Sequence, residues 1–109
     1  MEQEPQLFFA RRRSDDGRVF VEVGGECDAS TLDELNDLLR EALAAQPREL
    51  IVDLAATTFI DSLTLGSLTA AKQLRARGGT FNVVGATAPE VRRALEITGL
   101  GTYLVDSNA

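Results

Sequence analysis

Histidine does not occur in this chain of 109 residues. Its absence removes the commonest general base and the commonest metal ligand together. Cys27 is the single cysteine, which excludes an internal disulfide and a cysteine-built zinc centre. No apolar run is long enough to span a bilayer, and the chain does not begin with the basic and then apolar stretch of a secretory signal. Basic residues are outnumbered, with 11 Lys and Arg against 17 Asp and Glu, a formal charge of −6. Nucleic-acid binding needs a basic face to neutralise phosphates, so this balance argues against a nucleic-acid partner. Together these absences predict a soluble cytoplasmic module with no membrane attachment, no metal and no cofactor.

What is present is ordinary globular composition, 44% hydrophobic and 26% charged. A chain of this length buries one core without a staple. One domain is therefore expected over residues 1–109, with its core at about 7–105. The acid is unevenly spread: residues 1–50 hold 12 acids against 6 arginines, and the rest balance at 5 and 5. Glu22, Glu26, Asp28, Asp33, Glu34, Asp37 and Glu41 crowd together, opposed only by Arg40. Such a cluster either steers a basic partner or forms a solvated helix face with acids at its N-terminus.

Along the chain, Leu7-Phe8-Phe9-Ala10 starts a strand and Ser14-Asp15-Asp16-Gly17 is a hairpin turn. Val19-Phe20-Val21-Glu22-Val23 is the second strand. Arg11-Arg12-Arg13 reads as a solvated edge that discourages strand pairing rather than as a phosphate patch. Ser30 or Thr31 caps a helix in which Leu32, Leu35, Leu38, Leu39, Ala42 and Leu43 form one apolar stripe, and Pro47 marks its exit. Leu50–Leu54 is a short buried strand ended by Asp53 as a local cap or turn residue. Asp61 and Ser62 open a second helix through Leu65, Leu68, Ala71 and Leu74, closed by Arg75, Arg77, Gly78 and Gly79. Phe81–Val84 is a strand. Thr87 caps a third helix with Pro89 in its first turn and Glu90 completing a capping box; Gly99 ends it, and Thr102–Val105 is the last strand. The order ββαβαβαβ predicts an α/β fold: a mixed, mostly parallel sheet with an N-terminal β-hairpin and helices mainly on one face. The other face is then covered by loops or a partner, or is polar.

One segment carries chemistry. In Thr58-Phe59-Ile60-Asp61-Ser62-Leu63-Thr64-Leu65-Gly66 an apolar strand runs straight into a helix start. Asp61 and Ser62 can both bond the free N–H groups there, and capping alone accounts for them. The same helix end can hold a phosphate on Ser62, while Asp61 would repel it. The residues allow a switch and do not demand one.

The segment resembles the signature loop of STAS domains, the family of bacterial anti-sigma factor antagonists, whose pattern is Asp-Ser-Ser-Gly-Leu-Gly at a helix start. Here it reads Asp61-Ser62-Leu63-Thr64-Leu65-Gly66, matching at the Asp, the first Ser, the Leu and the last Gly. Gly25-Glu26-Cys27-Asp28 with Thr31, Gly78-Gly79 before an apolar strand, and Gly99-Leu100 before the final strand match three further family features. The resemblance covers roughly residues 7–105 and implies a STAS-like single domain that is not an enzyme. It implies that Ser62 is phosphorylated, with Thr64 as the alternative acceptor, and that Asp28, Thr31, Asp61, Ser62, Leu63 and Thr64 contact a partner. The implied partners are an anti-sigma factor with a GHKL-type serine kinase fold, bound when Ser62 is unphosphorylated so that a sigma factor is released, and a PP2C-type phosphatase that resets the switch. A scaffold subunit of a stressosome-type or transport-associated complex is the alternative within the same fold.

The departures are Leu63 for the second Ser and Thr64 for Gly. Leu63 serves either core packing or a hydrophobic contact on the docking face. Cys27 stands where the family has an aliphatic residue and reads as a small buried hydrophobe. Lys72, the only lysine, reads as a solvated helix residue. An enzyme would require Asp28, Asp53 and Asp61 to converge as a carboxylate site, in a chain with no histidine and no Gly-rich phosphate loop after the first strand.

Overall fold

A computed structural model of the chain describes residues 7–72, 74 and 77–105. Among the described residues five strands and three α-helices follow one another: β1 (Phe9–Asp15), β2 (Arg18–Cys27), α1 (Leu32–Ala44), β3 (Glu49–Ile60), α2 (Ser62–Thr69), β4 (Thr80–Val84), α3 (Pro89–Ile97) and β5 (Leu104–Val105). The sheet order is β1-β2-β3-β4-β5. β1 and β2 form the expected antiparallel hairpin, and the remaining neighbours are parallel. The helices lie on one face.

Alternation in the strands decides which face is which. Val19, Val21 and Val23 of β2, Leu50, Val52 and Leu54 of β3, and Phe81 and Val83 of β4 point inward and are buried. Leu35, Leu39 and Ala42 of α1, Leu65 and Leu68 of α2, and Val91 and Leu95 of α3 cover them. The opposite face carries Phe20, Glu22, Ile51, Asp53 and Asn82, partly exposed. Arginines plate it. Arg11 lies 4.7 Å over the Phe9 ring and Arg13 4.2 Å over the Phe20 ring, while Arg11 pairs with Glu22 at 3.2 Å. Guanidinium stacking covers aromatic rings and keeps charge in water, so this face is polar without a second helical layer. The arginine run thus occupies an edge strand as expected. Arg12 alone turns to the helix side, 4.0 Å from Glu41 of α1.

Several boundaries differ from expectation. β3 runs through to Ile60 instead of stopping at Leu54. Asp53 is therefore inside the strand, where the β2–β3 register shifts between Glu22 and Gly24. Its Oδ1 accepts the Ala55 N–H at 2.9 Å, a local cap at an irregularity instead of a strand end. The α1 cap also differs: Thr31 sits at the N-cap position without a side-chain cap bond. α3 starts from Ala88, not Thr87, again without a side-chain cap. Pro89 at the first helical position has a preset φ and no N–H to satisfy, so a capping hydroxyl is dispensable there. α2 is shorter than expected and continues as a 3-10 turn over Ala70–Lys72. The expected basic close at Arg75 lies outside the described residues, as does the Lys72 side chain. Thr102 and Tyr103 belong to a 3-10 turn, leaving two residues for β5. Tyr103 packs on Phe81 there, ring centroids 5.1 Å apart.

Candidate functional site

The site is built where β2 and β3 end side by side. Parallel pairing sets Cys27 opposite Ile60 and Glu26 opposite Phe59. Thr57, itself buried, donates its hydroxyl to the Val23 carbonyl at 2.8 Å and ties the strands across the irregular stretch. At the end of the ladder the Asp61 N–H donates to the Cys27 carbonyl at 3.0 Å. That bond joins the end of β2, and the Asp28 loop that follows it, to the start of α2.

Each loop is closed on itself. Asp28 Oδ1 accepts the Ser30 hydroxyl at 2.6 Å and the Ser30 N–H at 2.9 Å. Thr31 Oγ1 accepts the Asp28 N–H and donates to the Asp28 carbonyl, both at 3.1 Å. Thr31 therefore bonds backward to the loop instead of forward into α1, which is why it makes no helix cap. The Ser30 hydroxyl, then the Ser30 and Thr31 N–H groups, hold the Asp28 carboxyl below the usual carboxylate range.

Asp61 is the N-cap of α2. Its backbone is extended, at φ −95° and ψ 176°, and its Oδ1 accepts the Thr64 N–H at 2.8 Å. Ser62, the first helical residue, is exposed. Leu63 is 55% exposed, so the core-packing alternative for this side chain does not hold. Thr64 is 1% exposed and its hydroxyl has no hydrogen-bond partner in the protein. Of the two hydroxyls, only that of Ser62 is presented to an incoming enzyme.

Removing an unpaired buried hydroxyl relieves its desolvation cost. Thr64→Val is therefore expected to raise stability by about 1 kcal/mol, a gain of roughly 4–8 °C in Tm for a domain of this size. A thermal melt showing Thr64→Val less stable than the parent would contradict this reading.

Cys27 is fully buried. Burial, then the charges of Asp28 and Asp61, push its thiol up to about 11. Up to about pH 9 folded and unfolded chains alike keep the neutral thiol. Between about 9 and 11 only the unfolded chain ionises, so this group's contribution to stability falls as pH rises across that window. At pH 8 the folded thiolate fraction is about a hundredfold below that of the unfolded chain, from the ionisation difference alone. Labelling by a thiol reagent should be slowed by at least that factor in native protein, and equal rates with and without urea would refute it.

The structure thus brings Asp28, Thr31, Asp61, Ser62, Leu63 and Thr64 to one end of the sheet and exposes Ser62 and Leu63 at the surface. Asp53 stays apart in mid-strand. Among the described residues no group of three or more Cys, Asp and Glu is placed to hold a metal. Two further residues at this end were not among the expected contact residues. Glu26 is exposed and Phe59 is 46% exposed. Alternation was the available signal: with Ile60 inward, neighbouring Phe59 must point out.

Fold and junction together define an α/β module with an exposed strand–helix corner at one end of its sheet. A family model described as "Mlab, STAS domain" matches residues 10–106. Anti-sigma-F factor antagonist RsfB of Mycobacterium tuberculosis is 32% identical over 84 residues, covering 77% of this chain and 68% of that protein. The crystal structure of an anti-sigma factor antagonist from Mycobacterium paratuberculosis superposes with a TM-score of 0.82 at 29% identity, covering 94% of this chain and 87% of that one. SpoIIAA in its unphosphorylated form superposes with a TM-score of 0.75 at 21% identity, covering 94% and 89%, a likeness of fold. The chain belongs to the STAS domain family of anti-sigma factor antagonists. Its general role is that of the family, regulatory partner switching. Among the described residues no helix is long and apolar enough to cross a membrane.

Proposed function

We propose that this protein is an anti-sigma factor antagonist switched at Ser62. Unphosphorylated, it binds an anti-sigma factor of GHKL-type kinase fold in the cytoplasm and so frees a sigma factor. The kinase then moves the γ-phosphoryl group of ATP to Ser62 Oγ: the hydroxyl proton leaves, ADP departs, and the complex dissociates. A PP2C-type phosphatase hydrolyses the phosphoserine and restores binding.

The observation that carries this reading is the exposed Ser62 at the first turn of α2, beside the Asp28 loop, in a chain 32% identical to an antagonist. Charge supplies the mechanism. Phosphorylation adds about −1.5 to −2 charges at neutral pH. Asp61 already occupies the helix end through the Thr64 N–H. The new dianion therefore competes with a carboxylate for the same partial positive charge. From Cys27 to Leu39 and from Ala55 to Ala71 the chain contains no basic residue to pair with it. A tenfold loss of affinity needs only about 1.4 kcal/mol, which an unpaired dianion in an interface readily exceeds.

The test is incubation of the purified chain with ATP, Mg²⁺ and each GHKL-fold kinase of the source cell, followed by mapping of the phosphate. Phosphate on Ser62 coupled to release of the kinase is expected. Phosphate elsewhere overturns the site. Stable capture in a large assembly that phosphorylation leaves intact favours the scaffold role.

A further inference from the structure

We propose that the outer edge of β1 docks an extended acidic segment of another protein, which joins the sheet as a further strand with a carboxylate at every second position. The proposal does not depend on the Ser62 switch. β1 stands first in the sheet order and pairs only with β2. That pairing runs without a register shift from Phe9↔Gly24 to Asp15↔Arg18. The edge is therefore a regular strand of 7 residues with no proline and no bulge.

The turn fixes which backbone groups the edge offers. Asp16 and Gly17 are both left-handed, at φ 52° and 79°, which makes a two-residue type I′ turn. Such a turn is closed by a hydrogen-bonded pair, here Asp15 and Arg18, and pairs of that kind alternate along an antiparallel ladder. Arg13 and Arg11 accordingly bond to β2, while Ala10, Arg12 and Ser14 turn N–H and C=O outward. Arg12 and Ser14 are exposed, and among the described residues no turn, loop or cap bond reaches this edge. Unpaired groups in a straight row are a template for another strand.

Charge decides which strand fits. On the open side of the sheet Arg11 stacks on Phe9 and Arg13 on Phe20. Stacking holds two guanidinium groups along the edge, two positions apart. Arg11 also pairs with Glu22, but among the described residues Arg13 pairs with no carboxylate. On the helix side Ala10 packs against the core and Arg12 is balanced by Glu41. An incoming strand thus meets cations on one side and a balanced surface on the other. Carboxylates at alternate positions, with apolar residues between them, match that pattern. A second copy of β1 does not match it. Antiparallel pairing centred on Arg12 sets Arg12 against Arg12 and Arg11 against Arg13, and like charges directly opposite are destabilising.

The probe is a synthetic peptide of alternating Val and Glu, as long as the 7 residues of β1, with a peptide of alternating Val and Lys as control. Each is added to the full chain and followed by calorimetry and amide hydrogen exchange. The Glu peptide is expected to bind at low salt with Kd below about 1 mM, and more weakly as salt rises. With the peptide at about five times its Kd, the amides of Ala10, Arg12 and Ser14 should exchange roughly fivefold more slowly, while those of Arg11 and Arg13, already bonded to β2, change little. Arg13→Ala removes the unpaired cation. Ser14→Pro removes one outward N–H, which an edge strand tolerates. Each is expected to weaken binding at least about fivefold. Arg13 is exposed, so Arg13→Ala should fold even if Ser14→Pro does not. Absence of protection at the three outward amides, equal binding of the Lys peptide, or full binding by Arg13→Ala overturns the proposal. So does protection of those amides without peptide in a concentration-dependent dimer, which would assign the edge to a second copy.

Discussion

Replacing Ser62 with alanine is expected to abolish phosphorylation and leave the chain permanently competent to bind its anti-sigma partner. Ser62→Asp should weaken that binding at least tenfold. The reasoning starts from what the hydroxyl does in the fold, which is nothing that alanine cannot replace. Ser62 is exposed at the first position of α2, and the cap is made by Asp61 instead. Alanine is the best helix former, so Ser62→Ala should fold as well as the parent. The aspartate carries one charge where phosphoserine carries about −1.5 to −2. It sits beside Asp61 and near Asp28, so it repeats the sign of the effect at lower strength. A tenfold loss corresponds to about 1.4 kcal/mol, less than the cost of leaving one charge unpaired in a desolvated interface. Calorimetric titration against the kinase, with phosphate incorporation read in parallel, decides the matter. If Ser62→Ala still takes up phosphate at the wild-type level, the acceptor has been misassigned. If Ser62→Asp binds as tightly as wild type, charge is not the switching agent.

Gly25→Ala is expected to destabilise the fold by about 3 kcal/mol, from backbone strain and overpacking together. Gly25 has φ +83°, in the left-handed region where a Cβ is strained. The space is also taken. A Cβ at Gly25 would lie 2.6 Å from the Leu7 carbonyl oxygen and 2.8 Å from both Leu7 C and Phe8 Cα. These are backbone atoms, which cannot rotate aside, so the chain before β1 would have to lift. A loss of this size corresponds to a drop of roughly 12–24 °C in Tm. The position matters for function because Gly25 lies in the last residues of β2, whose Cys27 carbonyl accepts the Asp61 N–H. Weakened binding is therefore expected to accompany the lower Tm. Gly78→Ala is the control: it shares a positive φ of 87° but a Cβ there meets nothing within 4 Å, so it should cost only about 1–2 kcal/mol. Equal losses at the two positions would show that the close approach at Gly25 carries no weight.

The sequence was informative wherever a rule reaches only a few residues. The alternation Val19-Val21-Val23, the leucine spacing of α1 and the Asp-Gly turn yielded the hairpin, the helix and the order of elements. Asp61 as a helix cap followed from its place before Ser62, and Thr64 N–H is indeed its partner at 2.8 Å. The rules failed where another contact, near or far in the chain, outbid the expected one. Ser30 or Thr31 was expected to cap α1, but the Thr31 hydroxyl serves the Asp28 loop, as does that of Ser30. Asp53 looked like a strand end because Ala55-Ala56-Thr57-Thr58 has no strong strand signal, and pairing to β2 carries β3 straight through it.

By itself, then, the sequence determined the α/β order, the acidic balance and the Asp61-Ser62 junction, because composition, period and capping are properties of neighbours in the chain. Only the tertiary structure decided how the Asp28 loop is bonded to that junction, through the Asp61 N–H on the Cys27 carbonyl, since that bond depends on the β2–β3 register, and two irregularities shift that register along the way. It also decided between Leu63 and Thr64. Spacing places Leu63 away from Leu65 and Leu68, but whether another element covers it is a question about packing. None does among the described residues, and the leucine stands in water while the threonine beside it is buried.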